Sequence, residues 1–104
     1  MAFEKAAKLS EIPAGEIKAV QVGGQAIALA NVGGTFCAIS NTCLHRGGPL
    51  GEGQLEGKVV TCPWHGWQFD VTTGRALQNP NAGVACYASE VRGDDVYINL
   101  PEVT

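Results

Sequence analysis

The chain has 104 residues, enough for one domain, and its ten acidic against seven basic residues leave a net charge of −3. The Lys and Arg residues are scattered, which excludes phosphate recognition by a clustered cationic patch, and no apolar run approaches the roughly 18 residues of a membrane span. The N-terminal MAFEKAAKLSEIP contains neither an apolar h-region nor a cleavage site, so the expected location is the cytoplasm. Four cysteines in that reducing compartment read as metal ligands or buried thiols sooner than disulfides.

Taken in chain order, the sequence predicts short strands separated by glycine turns. Residues 3–8 suit a first edge strand, and 9–14, with Ser10 and Pro13, a turn. Residues 16–22 alternate apolar and polar, as a half-buried strand does. Gly23-Gly24 supplies the positive φ of a tight hairpin, and 25–32 is the return strand, with Ile27 and Leu29 on one face. Gly33-Gly34 repeats the device before a strand at 35–39. Further strands are predicted at 59–61 and 67–71, the latter closed by Thr73-Gly74, and 84–91 with 96–100 form a final hairpin. Trp67 and Phe69, two apart on a strand, should share an inward face. Cys37 and Cys86 lie in apolar runs and read as buried thiols. The pattern is all-β, an antiparallel sandwich or barrel.

Two segments break the rhythm. Residues 41–53 are polar and glycine-rich and hold Cys43 and His45; residues 62–66 hold Cys62 and His65. Both histidines of the chain are here, beside two of its four cysteines, and sixteen residues separate the pairs. That length allows a loop, a strand and a return, so two loops from adjacent hairpins can converge. A thiolate and an imidazole from each loop suit iron–sulfur or zinc. Zinc would use the same four donors, but the common finger sets two cysteines in one knuckle and two histidines on a helix. A Cys–His nucleophile leaves the second pair unexplained.

The segments NTCLHRGGPL and VVTCPWHGWQFD resemble the two cluster-binding motifs of Rieske proteins, and most nearly those of the small ferredoxins of bacterial aromatic-ring-hydroxylating dioxygenases. The resemblance extends to 51–57 between the motifs, to Phe69-Asp70 and Thr73-Gly74 after them, to Gln78-Asn79-Pro80 as the proline loop that covers the cluster, and to 93–97 in the closing hairpin. It implies a single Rieske domain over 1–104: an all-β sandwich or barrel with a small subdomain of two cluster-binding loops, at about 41–53 and 62–66. It implies one [2Fe–2S] cluster, with Cys43 and Cys62 on one iron and His45 and His65 on the other. Replacing two thiolates by neutral imidazoles makes reduction easier than in all-cysteine clusters.

The high-potential Rieske proteins of respiratory complexes carry an extra cysteine in each motif, joined as a disulfide, and a serine and a tyrosine that donate hydrogen bonds to sulfur. Here those positions hold Gly48 and Trp64, and Trp67 and Phe69. Fewer donors to sulfur stabilise the added electron less, which predicts a potential near the bottom of the Rieske range, at roughly −150 mV.

The resemblance thus implies an electron carrier in aromatic hydrocarbon catabolism, taking one electron at a time from a flavoprotein reductase to a terminal oxygenase. The expected docking tip is Arg46, Gly48, Pro49, Leu50, Pro63, Trp64, Gly66 and Pro80. Both histidines are used as ligands, so no facial triad is left for oxygenase chemistry, and the chain is expected to be non-catalytic and to bind no small-molecule substrate. A redox sensor, or a small redox subunit of another oxidoreductase such as a nitrite reductase, would carry the same motifs.

Overall fold

A computed structural model describes residues 2–42, 48–64, 66–79 and 81–100. Among these residues there are nine strands and no α-helix: β1 Ala2–Lys8, β2 Ile17–Val22, β3 Gln25–Val32, β4 Thr35–Ser40, β5 Gln54–Glu56, β6 Val59–Thr61, β7 Gln68–Asp70, β8 Cys86–Arg92 and β9 Asp95–Leu100. Short 3₁₀ turns occupy Leu9–Glu11 and Leu50–Glu52. No helix among the described residues is long and apolar enough to cross a membrane.

Six strands form one antiparallel sheet in the order β1-β9-β8-β4-β3-β2, and β5-β6-β7 form a second, smaller one. Gly23 and Gly24 turn β2 into β3 with φ of 56° and 80°. Only a residue without Cβ adopts such angles readily. The same turn closes the sheet toward a barrel. A Cβ on Gly23 would stand 2.8 Å from Leu100 Cδ1 at the end of β9.

Two cores share the strands β3 and β4. Ile27, Leu29, Phe36 and Ala38 point into the barrel with Val22, Val96, Ile98 and Leu100. The alternate residues Ala28, Ala30 and Ile39 point outward and pack with Leu50, Val60, Cys62, Phe69, Val71 and Ala76 of the small sheet and its loops. β3 is therefore buried on both faces from Ile27 to Asn31, where the sequence predicts burial of one face. The outer face carries alanines, which are small enough for a second sheet to approach. Asn31, at the end of this run, is satisfied: its Nδ2 donates to the Ile12 carbonyl at 2.8 Å, and its Oδ1 accepts from Gly34 N at 2.8 Å.

The seam between barrel and small sheet is close backbone packing. A Cβ on Gly51 would lie 2.5 Å from Ala19 N and 2.7 Å from Ala19 Cα on β2. The loop after Ser40 can rest on the barrel only because residue 51 has no side chain. The small sheet beneath the predicted two-loop subdomain has three strands, including β5, whose residues the sequence places in the link between the motifs.

Candidate metal centre

The two motif loops are held at their bases by hydrogen bonds that need no ligand. At the first, the Asn41 backbone carbonyl accepts from Leu50 N at 2.8 Å, its side-chain Oδ1 accepts from Gly51 N at 2.6 Å, and Thr42 bridges Pro49. One asparagine therefore closes the loop that carries residues 43–48. At the second, the 62–67 loop joins β6 to β7. Cys62 N donates to the Trp67 carbonyl at 2.7 Å, and Gly66 N donates to the Cys62 carbonyl at 3.1 Å. Gly66 has a φ of 80°, which lets the chain reverse within five residues.

Cys62 is 1% exposed and sits in the second core beside Leu50, Val60 and Phe69. The two loops meet at its sulfur. A Cβ on Gly48 would fall 2.8 Å from Cys62 Sγ and 3.1 Å from Trp64 Cγ. Gly48 thus packs directly against the thiol and the Trp64 indole, with no space for a side chain. Positions 48 and 64, which hold cysteines in high-potential Rieske proteins, face each other here as a glycine under an aromatic ring. Phe69 is fully buried, and Trp67 is half-buried with its ring 6.4 Å from that of Phe69. The predicted shared face is present.

The expected ligands Cys43, His45 and His65, and the tip residues Arg46 and Pro80, lie outside the described residues. Of the remaining tip residues, Pro63, Trp64 and Gly66 are exposed, Trp64 at 63%. Pro49 is half-buried. Leu50 and Gly48 correct the sequence reading. Leu50 is 0% exposed, an anchor of the second core. Gly48 is buried against Cys62 and Trp64. Neither presents a side chain to a partner.

The other two described cysteines lie on the large sheet, Cys37 on β4 and Cys86 on β8. Cys86 pairs with Ile39 across β8 and β4, so Cys37 is its diagonal neighbour on the same outward face. Cys37 is half-buried. Cys86 is exposed, contrary to the buried thiol expected. Its sulfur approaches the Thr72 carbonyl at 3.7 Å. Desolvation, then the Cys86 and Asp70 charges, push the Cys37 thiol up; desolvation and then Asp70 raise Cys86. Both stay protonated at neutral pH and are poor thiolate donors. Asp70 itself is held below the usual carboxylate range. Burial pushes it up, but hydrogen bonds from the Thr72 hydroxyl and amide, and the Lys58 ammonium at 3.5 Å, outweigh that.

Sequence reasoning passed over Asn41. The signal was available: an Asn directly before a Thr-Cys at the start of a loop, the residue type whose side chain competes best for turn amides.

The described residues form a nearly closed all-β barrel with a small three-stranded sheet, whose hairpin loop buries a cysteine against a glycine of the neighbouring loop. The soft, water-shielded thiol of Cys62 fits a ligand of a sulfur-bridged iron centre. The sequence matches the model of the Rieske [2Fe-2S] domain over residues 2–88, and the chain belongs to that family. It is 40% identical over 96 residues to the ferredoxin component of the naphthalene 1,2-dioxygenase system of Pseudomonas aeruginosa, spanning 91% of this chain and 92% of that protein. It is 38% identical over 99 residues to the 3-phenylpropionate/cinnamic acid dioxygenase ferredoxin subunit of Escherichia coli (strain K12), spanning 93% and 92%. The fold superposes with a TM-score of 0.83 and 35% identity, over 92% of this chain and 91% of the other, on a chain from the complex of reduced oxygenase and oxidized ferredoxin in carbazole 1,9a-dioxygenase.

Proposed function

We propose that the chain is a low-potential one-electron carrier, a single Rieske domain that takes electrons from a flavoprotein reductase to a terminal aromatic-ring-hydroxylating oxygenase and does no substrate chemistry itself. The observation that carries this reading is the likeness, over nine-tenths of both chains, to ferredoxin components of two aromatic dioxygenase systems. A [2Fe–2S] cluster held by Cys43, His45, Cys62 and His65 would supply the one-electron chemistry.

The chain's own residues do the rest. Cys62 offers its sulfur from inside an apolar core, where Leu50, Val60 and Phe69 exclude water from one side. Low local dielectric strengthens the hydrogen bonds and charges around a thiolate. The backbone bonds at Asn41 and at Cys62–Trp67 fix both loop bases in advance, so little ordering is left for ligation to drive. Trp67 and Phe69, in place of hydroxyl-bearing residues, donate no O–H to sulfur, which favours a low potential. Pro63, Trp64 and Gly66 form the exposed rim of the second loop. An exposed indole is a suitable anchor for a small interface that must also release.

The test is reconstitution. Added to a naphthalene-type reductase and oxygenase lacking their own carrier, the holoprotein should restore product formation coupled to NAD(P)H oxidation, and Trp64→Ala should weaken that transfer while leaving the visible spectrum intact. No stimulation of turnover by a protein with a full, reducible cluster would reject the carrier role and favour a redox sensor.

A further inference from the structure

The loop after β7 is tied to the second ligand loop by a side chain acting as backbone. β7 pairs on one side with β6. On its other side the segment 75–77 runs antiparallel to it: Asp70 N donates to the Arg75 carbonyl at 2.9 Å, Leu77 N donates to the Gln68 carbonyl at 2.9 Å, and Phe69 bridges Ala76. In a regular ladder the next bond would run from Gln68 N to the carbonyl opposite it. Gln68 N donates instead to Gln78 Oε1 at 3.1 Å. The backbone is thereby free to leave the sheet one residue early and enter the 79–82 turn. That turn is closed by Asn79, whose carbonyl accepts from Ala82 N and whose Oδ1 accepts from Asn81 N, and by Ala76 N donating to the Ala82 carbonyl.

Gln68 is the residue after Trp67, and the Trp67 carbonyl accepts from Cys62 N at 2.7 Å. The outgoing leg of the 62–67 loop is thus held on one side by Cys62 itself and on the other by Leu77 and Gln78. Gln78 is exposed and contributes nothing to either core, so its bond to Gln68 is what it adds.

We propose that Gln78 is a positioning residue for the metal centre: its side-chain amide oxygen latches Gln68 and so fixes the leg of the loop that presents Cys62. The proposal rests on the cluster reading for one of its two readouts. The first readout needs no cluster. In Gln78→Leu, similar in size but lacking an acceptor, exchange of the Gln68 amide with solvent should speed up roughly three- to tenfold, as loss of one partly exposed hydrogen bond dictates, and exchange of the Cys62 amide should rise with it. The second is release of iron from the holoprotein to the neutral chelator 2,2′-bipyridyl, which should accelerate by a similar factor with an unchanged far-ultraviolet spectrum. Gln78→Glu keeps an acceptor and should restore both. Unchanged exchange at Gln68 and Cys62 in Gln78→Leu would overturn the proposal, as would faster exchange at Gln68 alone, or failure of Gln78→Glu to restore it. A protein with no Rieske spectrum at all would sink the cluster reading instead, and exchange at the two amides would still judge the latch.

Discussion

Replacing Phe69 by alanine should destabilise the protein by about 3–5 kcal/mol, the largest loss expected from any single core substitution here. Phe69 is fully buried and is the largest such side chain. It stands at the centre of the second core, between the outward faces of β3 and β4 and the loop residues Leu50 and Cys62. Rigid backbone surrounds it: β6 on one side, where it faces Val60, and Ala76 on the other. The site therefore cannot collapse to fill the void, and the cost should sit in the upper part of the range. A domain of this size has only about 5–15 kcal/mol in hand, so thermal unfolding should fall by well over ten degrees. The damage should also be local. Hydrogen exchange should rise first across β5–β7, while amides beside Ile27, Leu29, Val96 and Ile98 in the barrel core stay protected. Phe69→Leu, which retains most of the volume, should cost less than half as much. Urea denaturation of the two variants measures this, and a loss under 1 kcal/mol for Phe69→Ala would show that the second core does not carry the small sheet.

Gly48→Ala should spare the fold and spoil the centre. The added methyl would sit 2.8 Å from Cys62 Sγ, with Trp64 Cγ at 3.1 Å and Trp64 Cδ2 at 3.2 Å. The indole is exposed and can swing aside, but the sulfur is pinned in the core by Leu50, Val60 and Phe69. Overpacking of this kind costs about 1–3 kcal/mol, or a weakening of cluster retention of roughly five- to hundredfold. Iron per chain and the visible absorption should fall sharply, and the apoprotein should still fold but melt below the parent, since the same contact is present without a cluster. Adding Trp64→Ala should recover little, because the closest clash is with sulfur. A Gly48→Ala protein with full iron and an unaltered cluster lifetime would mean that the two loops do not meet at Cys62 as described.

Much of this architecture is legible in the sequence because its signals are local. The Gly23-Gly24 and Gly33-Gly34 pairs mark their hairpins, and both turns have positive φ at each glycine. β3 and β6 begin and end as the apolar runs suggest. What the sequence hides is set by packing between distant segments. β5 has three residues with one apolar side chain, Leu55, too short for any period to show. Leu50 sits in a polar, glycine-rich run and looks exposed; it is buried because Gly51 lets that run lie against Ala19 on β2. The second buried face of β3 consists of alanines, which read as weakly apolar until a second sheet covers them. Cys86 misleads in the opposite direction, since an apolar neighbourhood in sequence does not guarantee that a side chain is buried. Of the quartet expected from residue type and spacing, the described residues include Cys62 alone, which the fold buries in the second core. The latch from Gln78 to Gln68 is invisible, since nothing in a Gln marks it as a surrogate carbonyl.

The most direct test of the central claim is the electron paramagnetic resonance spectrum of the dithionite-reduced protein. Ligation by Cys43, Cys62, His45 and His65 predicts a Rieske signal, with an average g value below that of all-cysteine [2Fe–2S] clusters, integrating to one spin per chain. A colourless, silent protein that contains stoichiometric zinc would contradict it and make the same four residues a structural metal site.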